Sequence, residues 1–231
     1  MKITWKLITA LTLVLLIVWS YVSAPPPLLE ATDASATATI AIEAVLQIVA
    51  TENDIARQLY TASIVGAGKA VGLRFSEHWK DDAVQAGPLP ALFLREAATS
   101  IERSPIPLGL FLGSDYPISP SNYFSGRQAT AFETMKTNQL EPEYFIDDDT
   151  GRYTAMFADL ASAQACVSCH NEHPDSPKKD WVLNDAMGAT TWTYPKQKVT
   201  TAEALQILTA VRQGFSDAYQ AYLNEAAAFE P

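Results

Sequence analysis

Cysteine is nearly absent from this chain, with two in 231 residues, so a framework of several disulfides is excluded. Histidine occurs three times and methionine four, so metal-ligating chemistry has few side chains to draw on. Positive charge is in deficit: sixteen lysines and arginines face twenty-six acidic residues, for a net charge of −10. No basic cluster stands out, which sets nucleic acid aside as a partner, and the acidity favours solubility and a basic docking partner. The sequence has no phosphate loop, internal repeat, low-complexity tract or recognisable nucleophile–base pair. It points away from an enzyme. Apolar residues are plentiful: 48% of the chain is ample for the core of one domain with extensions.

The two cysteines fall together in Cys166-Val167-Ser168-Cys169-His170. This Cys-x-x-Cys-His spacing reads as an attachment site for c-type haem. Each thiol adds to one vinyl group of the ring, and the adjoining histidine is delivered to the iron as its proximal ligand. Two other readings stay open. A disulfide or redox pair fits the same cysteines, although nothing nearby reads as the strand-then-helix pattern of a thioredoxin-like motif. Zinc would need Cys166, Cys169, His170 and His173, whereas zinc sites usually split their ligands into separated pairs.

With His170 as the proximal ligand, the sixth position has His78, His173, Met135, Met156 and Met187 as candidates, besides water or an empty site. Met156, in the strand-like run before the motif, is the expected choice. A methionine there would suit electron transfer, and an open site would suit a small gas. His173 is too close to His170 to reach the opposite face easily. It is expected to bind a propionate or pin the loop, or else to be exposed. Trp181 and Trp192 are candidates for the wall of the haem edge, or ordinary core. No distal acid–base pair can be named, which leaves haem peroxidase activity a weak alternative.

At the N-terminus, Lys2 and Lys6 precede an uncharged run from Leu7 to Ala24. As a helix it is roughly 27 Å long, close to the hydrocarbon thickness of a bilayer. The lysines keep the start in the cytoplasm and place the remainder outside, on the periplasmic side of a bacterial inner membrane. The rival is a signal peptide cut after Val22-Ser23-Ala24 and secreted to the periplasm, but Pro25 fits the position after the cut poorly. The expected organisation is a membrane anchor or signal over 1–24, a Pro-rich spacer over 25–35, a haem-binding domain over 36–198 and a C-terminal amphipathic helix over 199–231.

Periodicity predicts helix from about Ala36 to Trp79, with Ile42, Val45, Leu46 and Val49 on one face and Gly66, Gly68 and Gly72 weakening its middle. Gly87-Pro88-Leu89-Pro90 turns into a second helix, which Pro105 and Pro107 end. Ile106 to Leu112 reads as a buried strand, and Ala129 to Lys136 as a short helix. Tyr144 to Ile146 and Arg152 to Leu160 read as a hairpin about the acidic turn 147–151, a solvated turn rather than a calcium loop. Asp185 to Tyr194 reads as a terminal strand. Thr201 to Phe229 is a long helix whose apolar face is traced by Leu205, Leu208, Val211, Phe215, Tyr219 and Tyr222. That face packs back on the domain or forms a dimer seam. Helices, short strands and a closing helix together predict an α+β fold with a small, mainly antiparallel sheet.

Three segments carry a likeness to a known family: Ala86 to Arg95, Cys166 to Lys178, and Asp180-Trp181-Val182-Leu183-Asn184-Asp185-Ala186-Met187-Gly188. From about Val71 to Pro195 the chain resembles the bacterial c-type-haem, PAS-like sensor domains that serve as periplasmic inputs of cyclases, histidine kinases and chemoreceptors. The resemblance implies a PAS-like sheet flanked by helices, with haem held against it and a redox or small-ligand sensing role. A monohaem electron carrier is the alternative. Many relatives have arginine where this chain has Met187, so a contact of that arginine with a haem propionate is lost. No kinase, cyclase or second span follows the domain, so a separate signalling or electron-transfer protein is expected as partner.

Overall fold

The computed structural model describes residues 12–14, 16, 19, 38–81 and 83–229, and the chain divides into a unit over 1–37 and a unit over 38–231. In the first unit residues 12–14, 16 and 19 are helical, and the side chains of Leu13, Val14, Leu16 and Trp19 are exposed. The remainder of the expected anchor and the Pro-rich spacer lie outside the described residues. Among those that are described, no helix is long and apolar enough to cross a membrane.

The second unit is α+β. It opens with strand β1 (Thr39–Ala41) and helix α1 (Ile42–Leu59), which runs on through a π-helical stretch, Tyr60–Gly66, and a last turn, Ala67–Ala70. The single helix expected from Ala36 to Trp79 is thus preceded by a strand and stops where Gly72 adopts a φ of 94°. Glycine enters this left-handed region at little cost. The π stretch is held from outside: Tyr60 stacks on Phe93 at 4.1 Å, and its hydroxyl donates to the Pro88 carbonyl at 2.7 Å.

Two short strands, β2 (Phe75–Ser76) and β3 (Gly87–Pro88), pair in parallel and lead into α2 (Pro90–Arg103), with Pro90 in its first turn. Proline is favoured there because its missing N–H has no helical partner to lose. There follow β4 (Gly109–Gly113), α3 (Gly126–Thr137), β5 (Glu143–Ile146), β6 (Tyr153–Leu160), α4 (Gln164–Glu172), β7 (Ala186–Tyr194), β8 (Lys198–Thr200) and α5 (Thr201–Ala226). The strand expected over Ile106–Leu112 starts later, at Gly109. The strand ending at Tyr194 is followed by β8, which pairs antiparallel with β1. Thr200 and Glu203 form a reciprocal capping box that starts α5.

The main sheet is antiparallel in the order β4-β7-β6-β5. Strand alternation sends β6 side chains to two cores. Ala155 and Phe157, with Trp192 and Tyr194 of β7, face Ile42, Leu46 and Val49 of α1 and Ile207 and Val211 of α5. Met156 and Ala189 face Phe132 and Met135 of α3. Sheet and helices form three layers. The ladder between β6 and β7 slips at Asp159/Leu160, and this irregular end feeds α4.

The buried face of α5 matches the expected one in part: Val211 and Tyr222 are buried and Leu208 and Phe215 pack partly buried on the core, but Leu205 and Tyr219 lie off it. Ala204, Ile207, Val211, Gly214, Ala218 and Tyr222 are buried, whereas Leu205 is 61% exposed and Tyr219 is also exposed. The cause is close approach of α2: a Cβ on Gly214 would sit 2.8 Å from Ile101 Cγ1 and 3.0 Å from the Ala97 carbonyl oxygen. Small residues set the contact with α2.

Candidate functional site

Helix α4 begins after Ala163 and ends at Glu172, just before His173 and Pro174. Cys166, Cys169 and His170 stand at positions i, i+3 and i+4, so all three project from one side of the helix. Both thiols are free and partly accessible. Burial pushes the Cys169 thiol pKa up; Lys69 opposes this, while Glu77, Cys166 and Glu172 add to it. A reactive redox thiol needs the opposite shift. Burial also holds the His170 imidazole below its ordinary pKa, with Asp159 pulling the other way and His173 reinforcing burial. The ring is therefore kept neutral, the form that ligates a metal. Its Nδ1 is buried with no hydrogen-bond partner.

The motif does follow a strand, contrary to the reading of its surroundings from sequence: β6 leads into α4 within four residues. However, β6 and β7, on either side of α4, are antiparallel neighbours. A thioredoxin-like parallel crossover is not formed. Among the described residues no three histidine, cysteine or acidic side chains converge to hold a metal ion, which leaves the four-ligand zinc arrangement without a geometry. In the acidic turn Asp147 Oδ1 accepts from the amide and the hydroxyl of Thr150, at 2.9 and 2.7 Å. Its carboxylate is spent on the turn.

One flank of α4 is a small apolar cluster of Ala161, Val167, Trp181 and Met187, against which Cys166 packs. Trp181 is 5% exposed, and Tyr116 meets it edge-on at 6.1 Å. The Asn171 amide holds both backbone groups of Trp181: its Nδ2 donates to the carbonyl at 2.9 Å and its Oδ1 accepts from the N–H at 2.8 Å. The Trp181 segment is thereby fastened to the last turn of α4. Beside it a cleft of about 430 Å³ is lined by Ser114, Tyr116, Phe132, Lys136, Trp181 and Met187, among others. The larger groove, about 800 Å³ between α2 and α5, contains none of the motif's residues.

Beyond the helix, His173 is mostly buried. Its Nδ1 accepts from the Asp175 amide at 3.1 Å, which leaves the proton on Nε2, 3.3 Å from Glu77 Oε1. This joins the loop after α4 to the turn after β2. Arg57 of α1 donates to both Asp159 carboxylate oxygens, at 2.6 and 3.1 Å. Nothing in the local sequence announces this pair, nor that Lys69 and Glu77 lie within electrostatic reach of Cys169.

The structure brings Cys166, Cys169, His170, His173 and Trp181 together around one helix. It does not bring Met156 there: that side chain is 0% exposed and lies under α3 with Met135, in a separate cluster. Met187 is the methionine beside Cys166. His78 is exposed, near Glu77 and Asp81, and Trp192 is buried in the core against α1 and α5.

No curated protein and no solved structure matches this chain. Residues 30–195, more than two thirds of its length, match the family described as Tll0287-like and include every residue of the α4 site. The chain belongs to the Tll0287-like family.

Proposed function

We propose that this protein binds c-type haem covalently and serves as a redox or small-ligand sensor on the periplasmic side of a bacterial inner membrane. The observation that carries the reading is α4 itself. Two free, partly accessible thiols and a neutral imidazole with an unpartnered buried nitrogen share one side of a helix. In this reading Cys166 and Cys169 would hold the ring by thioether bonds and His170 would give a nitrogen to its iron. When bound, haem supplies an iron that changes oxidation state and accepts small ligands.

The chain's own part is to hold that helix and to respond when its surroundings change. Trp181, Val167 and Met187 keep water from one flank, and Asn171 fixes the Trp181 segment to α4. His173 and Glu77 pin the far end of the loop. A change at His170 therefore reaches the Trp181 segment through α4 and the β2 turn through His173. A small antiparallel sheet covered by helices on both faces supports the PAS-like form of this reading. The periplasmic side and the retained anchor rest on Lys2, Lys6 and the apolar run to Ala24. A signalling protein is the partner this role requires.

Electron carriage is the second reading, favoured by the place of Met187 beside Cys166. A thioether ligand from Met187 would raise the reduction potential. Carbon monoxide added to the reduced protein separates the two. Rapid, tight binding with a shifted Soret band is expected of the sensor. A methionine-ligated spectrum that carbon monoxide leaves unchanged would replace it with the carrier.

A further inference from the structure

The Arg57–Asp159 pair joins two elements whose residues are 102 positions apart, and each side chain is only 18% exposed. A buried ion pair is an expensive way to fasten a helix to a sheet, since apolar residues of similar size commonly do as well. Its place explains its presence. Asp159 is at the irregular end of β6, where the chain leaves the sheet for α4. Arg57 lies within electrostatic reach of Cys166, and Asp159 within that of His170. Arg57 Nε and His170 Nδ1 are each buried with no hydrogen-bond partner. Asp54, one turn before Arg57 on α1, adds a second carboxylate to the same electrostatic group.

We infer that Arg57 and Asp159 are a positioning pair for the axial histidine: the Asp159 carboxylate sets the field at His170, and Arg57 holds that carboxylate in place and limits its effect. The inference rests on the haem reading. A negative charge near the ligand favours the ferric state and so lowers the midpoint potential, and a positive charge does the reverse. The two residues should therefore act with opposite sign. Packing alone has no reason to do so.

The experiment measures the midpoint potential and the iron–histidine stretch of holoprotein made with the c-type maturation machinery. Asp159→Asn is expected to raise the midpoint and soften the stretch, and Arg57→Met to lower the midpoint. Arg57→Lys, which keeps the charge, should stay near the parent value. If a single variant fails to fold because a buried charge has lost its partner, the double variant Arg57→Met/Asp159→Asn takes its place. It should lie above the parent, because Asp159 is the member coupled to His170. Shifts of the same sign in both single variants, or a double variant equal to the parent with haem fully attached, overturn the inference. Parent protein carrying no covalent haem takes the haem reading down first, and this inference with it.

Discussion

Asn171 shows how much one side chain can hold. Its amide satisfies both the N–H and the C=O of Trp181. Asn171→Ala should therefore lower stability by about 1–3 kcal/mol, the cost of leaving partly buried polar groups unpaired. The loss should be visible as a lower midpoint of denaturant unfolding and faster amide exchange at Trp181. Unchanged exchange at Trp181 would show that the segment is held some other way. At this scale the site was half legible. Five adjacent letters single out Cys166, Cys169 and His170, and one helix brings the three to one side. Arg57 and Asp159 announce nothing, because their meeting is made by the packing of α1 on the sheet. Met156 is a warning of the same kind. Its strand places it on the face opposite Phe157, so being near the motif in sequence did not bring it near in space.

At the scale of elements, α5 tests whether small residues set the helix interface. Gly214→Leu should destabilise the domain by about 1–3 kcal/mol or more through overpacking against Ile101 and the Ala97 backbone. Leu205→Glu, on an exposed position, should change stability by no more than about 0.5 kcal/mol. Thermal or denaturant unfolding of the two variants reads both. The reverse order would return the buried face to Leu205 and Tyr219. Periodicity found this helix and four of the six residues on its apolar face, and misplaced Leu205 and Tyr219, because it weighs large apolar residues and α2 needed small ones. The hairpin of β5 and β6 was read correctly, since alternation and an acidic turn are local signals. Its turn gives a pH prediction. The hydroxyl and amide of Thr150 hold the Asp147 carboxyl below its ordinary 3.8. A depressed carboxyl contributes stability above that ordinary value and loses it as pH falls through the depressed one. The Thr150 amide shift should titrate with a midpoint under 3.8, moving up in Thr150→Val. A midpoint at or above the ordinary value in the parent would contradict the turn as described.

Across the whole molecule, three layers put α4 at one end of the sheet, where β6 slips against β7 and releases the chain. The α+β class could be read from the order of periodic segments. The layering could not, because it depends on which face of β6 meets α1 and which meets α3. Placement relative to the membrane remains a proposal with its own test. An alkaline phosphatase fused after residue 231 should be active, and a fluorescent protein that matures only in the cytoplasm should be dark there. The opposite pair of results would put the domain on the wrong side for haem attachment. The central claim is the covalent bond at α4, and intact-mass measurement reads it most directly. The protein, made with the c-type maturation machinery and stripped by acid–organic extraction, should keep the mass of one haem. Cys166→Ser and Cys169→Ser should each leave at most one thioether, and the double variant none. Parent protein that loses all its haem to the solvent, with both thiols free to alkylate, would contradict the account.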